Sequence, residues 1–306
     1  MSVQSVRDLS GVGTALVTPF AEDLTVDLRA LRRLVEFQIA GGVDFLVPGG
    51  TTGESATLTD DERIQVAEAT LDAAAGRAPV IAGAGGNDTQ GVIRLAWRYE
   101  ELGVSGLLCV TPYYNKPTQL GLERHYQAIA DATRLPIILY NVPSRTGVNL
   151  APETTARLAR LPNIVGIKEA SGDVAQIAEI IALTPPEFRV FAGDDALILP
   201  VIALGGHGVV SVVSNEVPKA VVALTAAARA GRLDDARALS RRLLPLVKAN
   251  FLETNPGPVK AALSILGLIE ENCRLPMVPV QPHVRERLAT LLGEFDASGT
   301  PGRVGK

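Results

Sequence analysis

The sequence lacks most of the features that would place it in a specialised class. Its 306 residues contain only two cysteines and three histidines. Cys109 and Cys273 are too few and too isolated for a disulfide framework or a zinc site. Cys109 lies within the apolar run Leu107-Leu108-Cys109-Val110 and reads as inert core. No two of His125, His207 and His283 stand at metal-ligand spacing on one helix, so no metal is expected. A formal net charge of -4 without any basic run excludes a nucleic-acid face. No apolar stretch approaches membrane-spanning length, and Met1 to Asp8 holds no apolar signal core. No membrane partner is expected, and the location expected is cytoplasmic. A dinucleotide fingerprint is also missing. Thr18-Pro19-Phe20 follows the first apolar run, and Gly83-Ala84-Gly85-Gly86 falls short of GxGxxG. No cofactor is therefore expected.

What the chain does have is a repeated alternation. Strand-like apolar runs begin at Gly13, Phe45, Val80, Gly106, Ile137, Ile164, Arg189 and Gly208. They end at Thr18, Val47, Gly83, Val110, Tyr140, Lys168, Gly193 and Val213. Helix-like segments separate them: 28–39, 60–75, 90–101, 120–132, 152–161, 174–183, 196–204 and 218–230. Eight strands, each followed by a helix, predict an α/β fold of the (β/α)8 barrel type. After Gly231 the strands stop, and 233–250, 258–268 and 282–292 read as helices. The expected domains are a catalytic barrel over 1–230 and a small all-helical domain over 231–306, with a frayed tail from about Ser298.

In such a barrel the chemistry sits at the C-terminal ends of the strands. The sixth run, Asn163-Ile164-Val165-Gly166-Ile167-Lys168-Glu169-Ala170, ends in a lysine. Desolvation disfavours an ammonium at the covered end of a buried strand unless a counter-charge meets it, and a neutral amine attacks carbonyl carbon. Alternation puts Ile164 and Gly166 on the side from which Lys168 projects, with Gly166 leaving room for the lysine stem. The other strand ends carry complementary groups. Gly49-Gly50-Thr51-Thr52-Gly53 offers bare amides and paired hydroxyls for a small anion. Tyr113-Tyr114 follows the fourth run, and only one of the pair should face the pocket if the strand continues. Tyr140 ends the fifth run, with a hydroxyl in need of a partner. Arg145, on the following loop, has a fork suited to a carboxylate. Gly193-Asp194-Asp195 closes the seventh run, and His207 precedes the eighth at the far face, where it reads as structural. Each feature has a plainer alternative: a solvent-seeking lysine, a glycine turn, packed aromatics, a surface ion pair. Together they suit imine chemistry on an oxo-acid, with hydroxyls to relay protons and cations or amides to hold carboxylates. A pyridoxal enzyme would also use a lysine imine, but no phosphate-plus-acid arrangement is present.

The segments GGTTGESATL, VTPYYNKP, ILYNVPSRTG, IVGIKEASGD and GGHGVVSV carry a resemblance, as do LETNPGPVKAAL and CRLPMVPV. From about Gly11 to beyond Val280 the chain resembles the dihydrodipicolinate synthase (4-hydroxy-tetrahydrodipicolinate synthase) family, within the N-acetylneuraminate lyase superfamily of class I aldolases. The resemblance implies a (β/α)8 lyase that joins pyruvate to L-aspartate-4-semialdehyde through a Schiff base, in the diaminopimelate route to lysine. By the same resemblance Lys168 forms the imine, Tyr140 donates and accepts protons, and Thr51 and Tyr114 complete a relay. Tyr114 would reach a neighbouring subunit's site, most members being homotetramers built from tight dimers. Thr52 and the backbone at Val210 would bind pyruvate, Gly193 would join the substrate-binding group, and Arg145 would hold the semialdehyde carboxylate. Other pyruvate-dependent lyases and aldolases of the superfamily are the alternative, and Arg145 argues against them. A non-catalytic regulator on the same barrel is a further alternative, which intact Lys168, Tyr140, Thr51 and Arg145 oppose.

One departure concerns feedback control. Ser55, Ala56, Asn87 and Tyr113 match the lysine-binding site of inhibited members. Asp60 and Arg63 stand where histidines occur in some relatives, and Gly91 stands where a glutamate would be. Loss of an anionic partner for the ligand's ammonium predicts little or no inhibition by lysine.

Overall fold

The computed structural model describes residues 6–295. Eight parallel strands form one sheet in the order β2-β1-β8-β7-β6-β5-β4-β3. They are β1 (Gly11–Ala15), β2 (Phe45–Val47), β3 (Ile81–Gly83), β4 (Gly106–Val110), β5 (Ile137–Asn141), β6 (Ile164–Glu169), β7 (Arg189–Ala192) and β8 (Gly208–Ser211). The outer pair closes through a bridge between Leu46 and Val80, aided by Leu46 N–H to the Pro79 carbonyl at 2.9 Å. The predicted barrel is therefore present.

Helices α1 (Leu28–Ala40), α2 (Asp60–Ala74), α3 (Thr89–Leu102), α4 (Gln119–Ala132), α5 (Pro143–Thr146) and α6 (Pro152–Leu158) follow the first five strands. Then come α7 (Val174–Leu183), α8 (Ile198–Ala203) and α9 (Pro218–Arg229). The barrel helices start where their sequences say they should. Asp27, Thr59, Asp88, Thr118 and Asp173 each accept a backbone N–H in the first turn, and Thr59 forms a full capping box with Glu62. These caps fix the loops on the open face of the barrel. The one-turn α5 went unpredicted, because a proline start and a glycine stop four residues apart read as a loop.

Two apolar layers result from the alternation of each strand. Inside the barrel lie Ala15, Phe45, Val47, Ile81, Leu108, Ile138, Tyr140, Val165, Phe191 and Val210. Phe45 and Phe191 meet edge to face at 5.4 Å. Val12, Leu46, Ala82, Leu107, Cys109, Leu139, Ile167 and Val209 point outward into the helix layer. Burial pushes the Cys109 thiol up to about 12, so it is the inert core residue expected.

The final helices are α10 (Leu233–Ala249), α11 (Gly257–Ile265) and α12 (Pro282–Leu292). Their buried residues, including Leu243, Leu263 and Leu288, belong to the same apolar cluster as the barrel's helix layer. The tail expected to fray from about Ser298 lies outside the described residues.

Several strand ends differ from expectation. β1 runs two residues earlier, over Gly11–Ala15. After Ser211 the chain leaves the sheet for a 3-10 turn over Val213–Asn215. The larger correction is in β6. A bulge shifts its register, so that Ile137 pairs with Ile164 but Ile138 with Gly166. Val165 thereby enters the barrel interior, while Ile164 joins the helix layer. Ile164 does not share the side of Lys168. Nor does Gly166 make room for the lysine stem, since a Cβ there would lie 2.4 Å from the Arg189 carbonyl on β7.

Candidate active site

β5 and β6 end in register, with Tyr140 opposite Lys168 and Asn141 opposite Glu169. Lys168 is buried at 5 % exposure, and its Nζ lies 4.4 Å from the centroid of the Tyr140 ring. Among the described residues it has no carboxylate or hydrogen-bond partner. The space for its stem comes from Gly193, just past β7. A Cβ at that position would meet Lys168 Cε at 3.1 Å and Ala170 Cβ at 2.6 Å. The small residue next to the lysine is therefore on the neighbouring strand's exit, which spacing within β6 alone could not reveal.

A cavity of about 290 Å³ opens among the loops at the same end of the barrel. Thr51, Tyr113, Arg145 and Asn255 line it, among others. Lys168 and Tyr140 are not part of its lining. Val142 and Val110 join the two, lining the cavity while packing on the barrel interior. Arg145 is exposed on α5 and makes no ion pair with the described residues, leaving its fork available.

The glycine turn before α2 is only partly the cradle expected. Its Gly53 and Ser55 N–H groups donate to the Gly50 carbonyl, and Glu54 N–H donates to the Thr51 carbonyl. The N–H groups of Thr51 and Thr52 have no partner among the described residues. The Thr52 hydroxyl is buried and accepts from Asn255 Nδ2 at 3.1 Å. Neither the Thr51 nor the Tyr140 hydroxyl bonds to another described group, so the chain alone does not link them as a relay. Val210 lies on β8 in the barrel interior. The turn beyond it is pinned by buried Asp195, whose Oδ2 accepts from Val212 N at 2.9 Å and Val213 N at 3.0 Å. Burial pushes that carboxyl above its ordinary value.

Tyr114 is not brought to this cavity. β4 ends at Val110, so the tyrosine pair is in a loop and strand alternation does not apply. Tyr113 lines the cavity, whereas Tyr114 is 88 % exposed and left-handed at φ 72°. The residues matched to a lysine site are also divided. Ser55 and Ala56 line the main cavity, Asn87 lines a recess of about 130 Å³ beside Asp60, Arg63 and Gly91, and Tyr113 lines both. The Arg63 guanidinium already donates to the Ser55 carbonyl at 2.7 Å. His207, ahead of β8, accepts Val190 N–H at 3.1 Å through Nδ1, which agrees with a structural role. Burial pushes its imidazole down to about 4.

Sequence reasoning missed the support under the threonine turn. Glu54 and Lys260 form a fully buried ion pair at 2.5 Å. Lys260 also donates to the Asn272 carbonyl at 2.6 Å, and its Nζ lies 4.2 Å over the Phe20 ring. Arg274 N–H donates to the second Glu54 oxygen at 3.1 Å. The signal was a single charged residue inside the apolar helix stretch Val259-Lys260-Ala261-Ala262-Leu263. Glu169 was missed as well. It is buried without a cation and is held by uncharged donors, among them Ser171 N at 2.7 Å, Asn141 Nδ2 at 2.9 Å and Gln176 Nε2 at 3.4 Å.

The sequence model of the Dihydrodipicolinate synthetase family matches residues 8–294. The chain belongs to this family. A 4-hydroxy-tetrahydrodipicolinate synthase of Pelodictyon phaeoclathratiforme is 52% identical over 277 residues, covering 90% of this chain and 94% of that protein. One from Acidobacterium capsulatum is 51% identical over 290 residues, covering 94% and 96%. The crystal structure of dihydrodipicolinate synthase from Thermotoga maritima superposes with a TM-score of 0.92 at 48% identity, covering 95% of this chain and 99% of that one. A monomeric dihydrodipicolinate synthase variant matches at the same TM-score and identity. No helix among the described residues is long and apolar enough to cross a membrane.

Proposed function

We propose that this chain is a lyase performing the 4-hydroxy-tetrahydrodipicolinate synthase reaction, condensing pyruvate with L-aspartate-4-semialdehyde. The observation that carries the reading is the buried, unpaired Lys168 amine over Tyr140, at the end of the barrel where Arg145 lines a cavity. The amine adds to the pyruvate keto carbon, and loss of water gives a protonated imine. Tyr140 passes the protons of that exchange, with Thr51 as a further member of the relay. The iminium then acts as electron sink while a methyl proton leaves. The resulting enamine carbon attacks the aldehyde, and the amino group of the product displaces Lys168 as the ring closes. Thr52 and the Val210 backbone hold the pyruvate carboxylate, next to the close-packed Gly193. Arg145 holds the carboxylate of the semialdehyde by a bidentate contact.

Tyr114 completes the proton relay from a neighbouring subunit. Its exposure and left-handed backbone support this, because strain at an exposed aromatic calls for a partner that uses it. The assembly would be a dimer of dimers, working in the cytoplasm. A mixture of Lys168→Ala and Tyr114→Phe subunits should then regain activity that neither has alone. The missing anionic partner at Gly91 supports little inhibition by lysine, and half-inhibition at submillimolar lysine would refute that. The barrel over 1–230 and the helices over 231–306 are read as two domains, the second walling the site through Asn255, Pro256, Pro276 and Met277.

Borohydride reduction with pyruvate should fix one pyruvate-derived mass on Lys168. Turnover with the semialdehyde, and none with N-acetylneuraminate, separates this reaction from the superfamily's sugar-acid lyases.

A further inference from the structure

Tyr140 and Lys168 come from different strands, and each is followed by a buried polar residue on the opposite strand face. Asn141 is fully buried and Glu169 is 1 % exposed. The two are register partners, as are Tyr140 and Lys168. Asn141 Nδ2 reaches both Glu169 oxygens, at 2.9 and 3.2 Å, and Asn149 Oδ1 at 2.7 Å. Its own Oδ1 accepts Leu150 N–H at 2.9 Å. Glu169 Oε1 accepts Ser171 N–H at 2.7 Å, and Ala170 N–H donates to the Asn141 carbonyl at 2.8 Å. Every polar group bonded to the Glu169 carboxylate is a donor, and no cation lies among its partners. A buried carboxylate without a counter-charge is costly, and its retention needs a reason beyond packing.

We infer that the Asn141–Glu169 pair is a positioning device that locks the ends of β5 and β6 in register and so holds Lys168 over Tyr140. The inference rests on the reading of those two residues as the reacting lysine and its proton partner. The register of β5 on β6 is interrupted by the bulge at Ile164 to Gly166, and only Ile167 and Lys168 are paired between that bulge and Glu169. A second lock at the strand end removes the remaining freedom. The polarity of the pair is directional: the amide donates and the carboxylate accepts. Glu169→Gln sets an NH2 group against donors, and Asn141→Asp sets two carboxylates face to face. The double variant Asn141→Asp/Glu169→Gln reverses the polarity. The carboxylate introduced on β5 keeps the bond from Leu150 N–H, and turning the Asn149 and Gln176 amides over sets Asn149 Nδ2 to donate to it and Gln176 Oε1 to accept from the new amide. The amide introduced on β6 donates to that carboxylate while still accepting from Ser171 N–H.

The test measures kcat, KM for pyruvate and the rate of borohydride trapping in the full-length parent, both single variants and the double variant, at a temperature where circular dichroism shows each folded. Each single change should lower kcat and the trapping rate about 10- to 100-fold, with KM for pyruvate within about threefold, as expected for a misplaced nucleophile. The double variant should recover to within about fivefold of the parent. Folded single variants that trap pyruvate at the parent rate would show that the pair serves only stability, and would overturn the inference. So would a double variant no better than either single one. A parent that traps no pyruvate at all would instead remove the functional reading, and this inference with it.

Discussion

Two lysines are buried among the described residues, one in the barrel and one in the C-terminal helices, and they differ in almost everything except burial. Lys168 is 5 % exposed and Lys260 is not exposed at all. Each ammonium position lies over an aromatic face, at 4.4 Å from Tyr140 and 4.2 Å from Phe20. Lys260 is saturated: Glu54 pairs with it and the Asn272 carbonyl accepts from it. Burial pushes its ammonium below the ordinary value, opposed by the Glu54 carboxylate. Lys168 has no such partner among the described residues. A fully partnered lysine is a strut, since breaking its contacts leaves a charge buried alone. An unpartnered one leaves its nitrogen free to bond to a ligand. Burial alone does not separate the two lysines; their partners do.

The comparison can be broken by four measurements. Lys168→Ala should lower turnover by at least ~10³-fold and abolish trapping, while the chemical-denaturation midpoint barely moves, because no partner is stranded. A large loss of stability would mean that Lys168 is a second strut. For Lys260→Met the pattern reverses. Stability should fall by about 3–5 kcal/mol because Glu54 is left buried and unpaired, and Glu54→Gln/Lys260→Met should restore most of it. If the single variant is as stable as the parent, the buried pair is not what seats the threonine turn.

Smaller effects sharpen the picture. Gly193→Ala should cost about 1–3 kcal/mol through its clash with Ala170, and should slow trapping by displacing the Lys168 stem. Unchanged trapping would show that the glycine matters only for packing. The smallest effect is one of pH. Arg274 donates to both Glu62 oxygens, at 2.6 and 2.9 Å, tying the C-terminal segment to α2. This holds the Glu62 carboxyl down at about 2, against an ordinary 4.5. A depressed carboxylate contributes its full stability above the unfolded value and loses it as the pH falls through the folded one. Stability should therefore drop by about 1–2 kcal/mol between about pH 5 and pH 2, after allowance for solvent screening. Glu62→Gln should flatten that limb, and an unchanged slope would mean that the tether does not hold in solution.

Much of the site was legible because its parts are local. Eight apolar runs and the candidate reactive groups at the strand ends follow from neighbours a few positions apart. Lys168, Tyr140, Thr51 and Arg145 all stand at the predicted face. Other parts failed where the deciding partner is distant in sequence. Gly193, not Gly166, leaves space for the lysine, because the contact crosses from β6 to the exit of β7. Ile164 changed sides because a bulge broke the alternation assumed for β6. Tyr113 and Tyr114 follow a loop, so strand periodicity could not assign them.

The sequence by itself determined the barrel, the lysine at the end of its sixth strand, and the family to which the chain belongs, since hydrophobic period, caps and long motifs are written in consecutive residues. Only the tertiary structure decided which buried lysine is free and which is bound. That depends on Glu54 finding Lys260 across 206 positions, a pairing that no local pattern encodes.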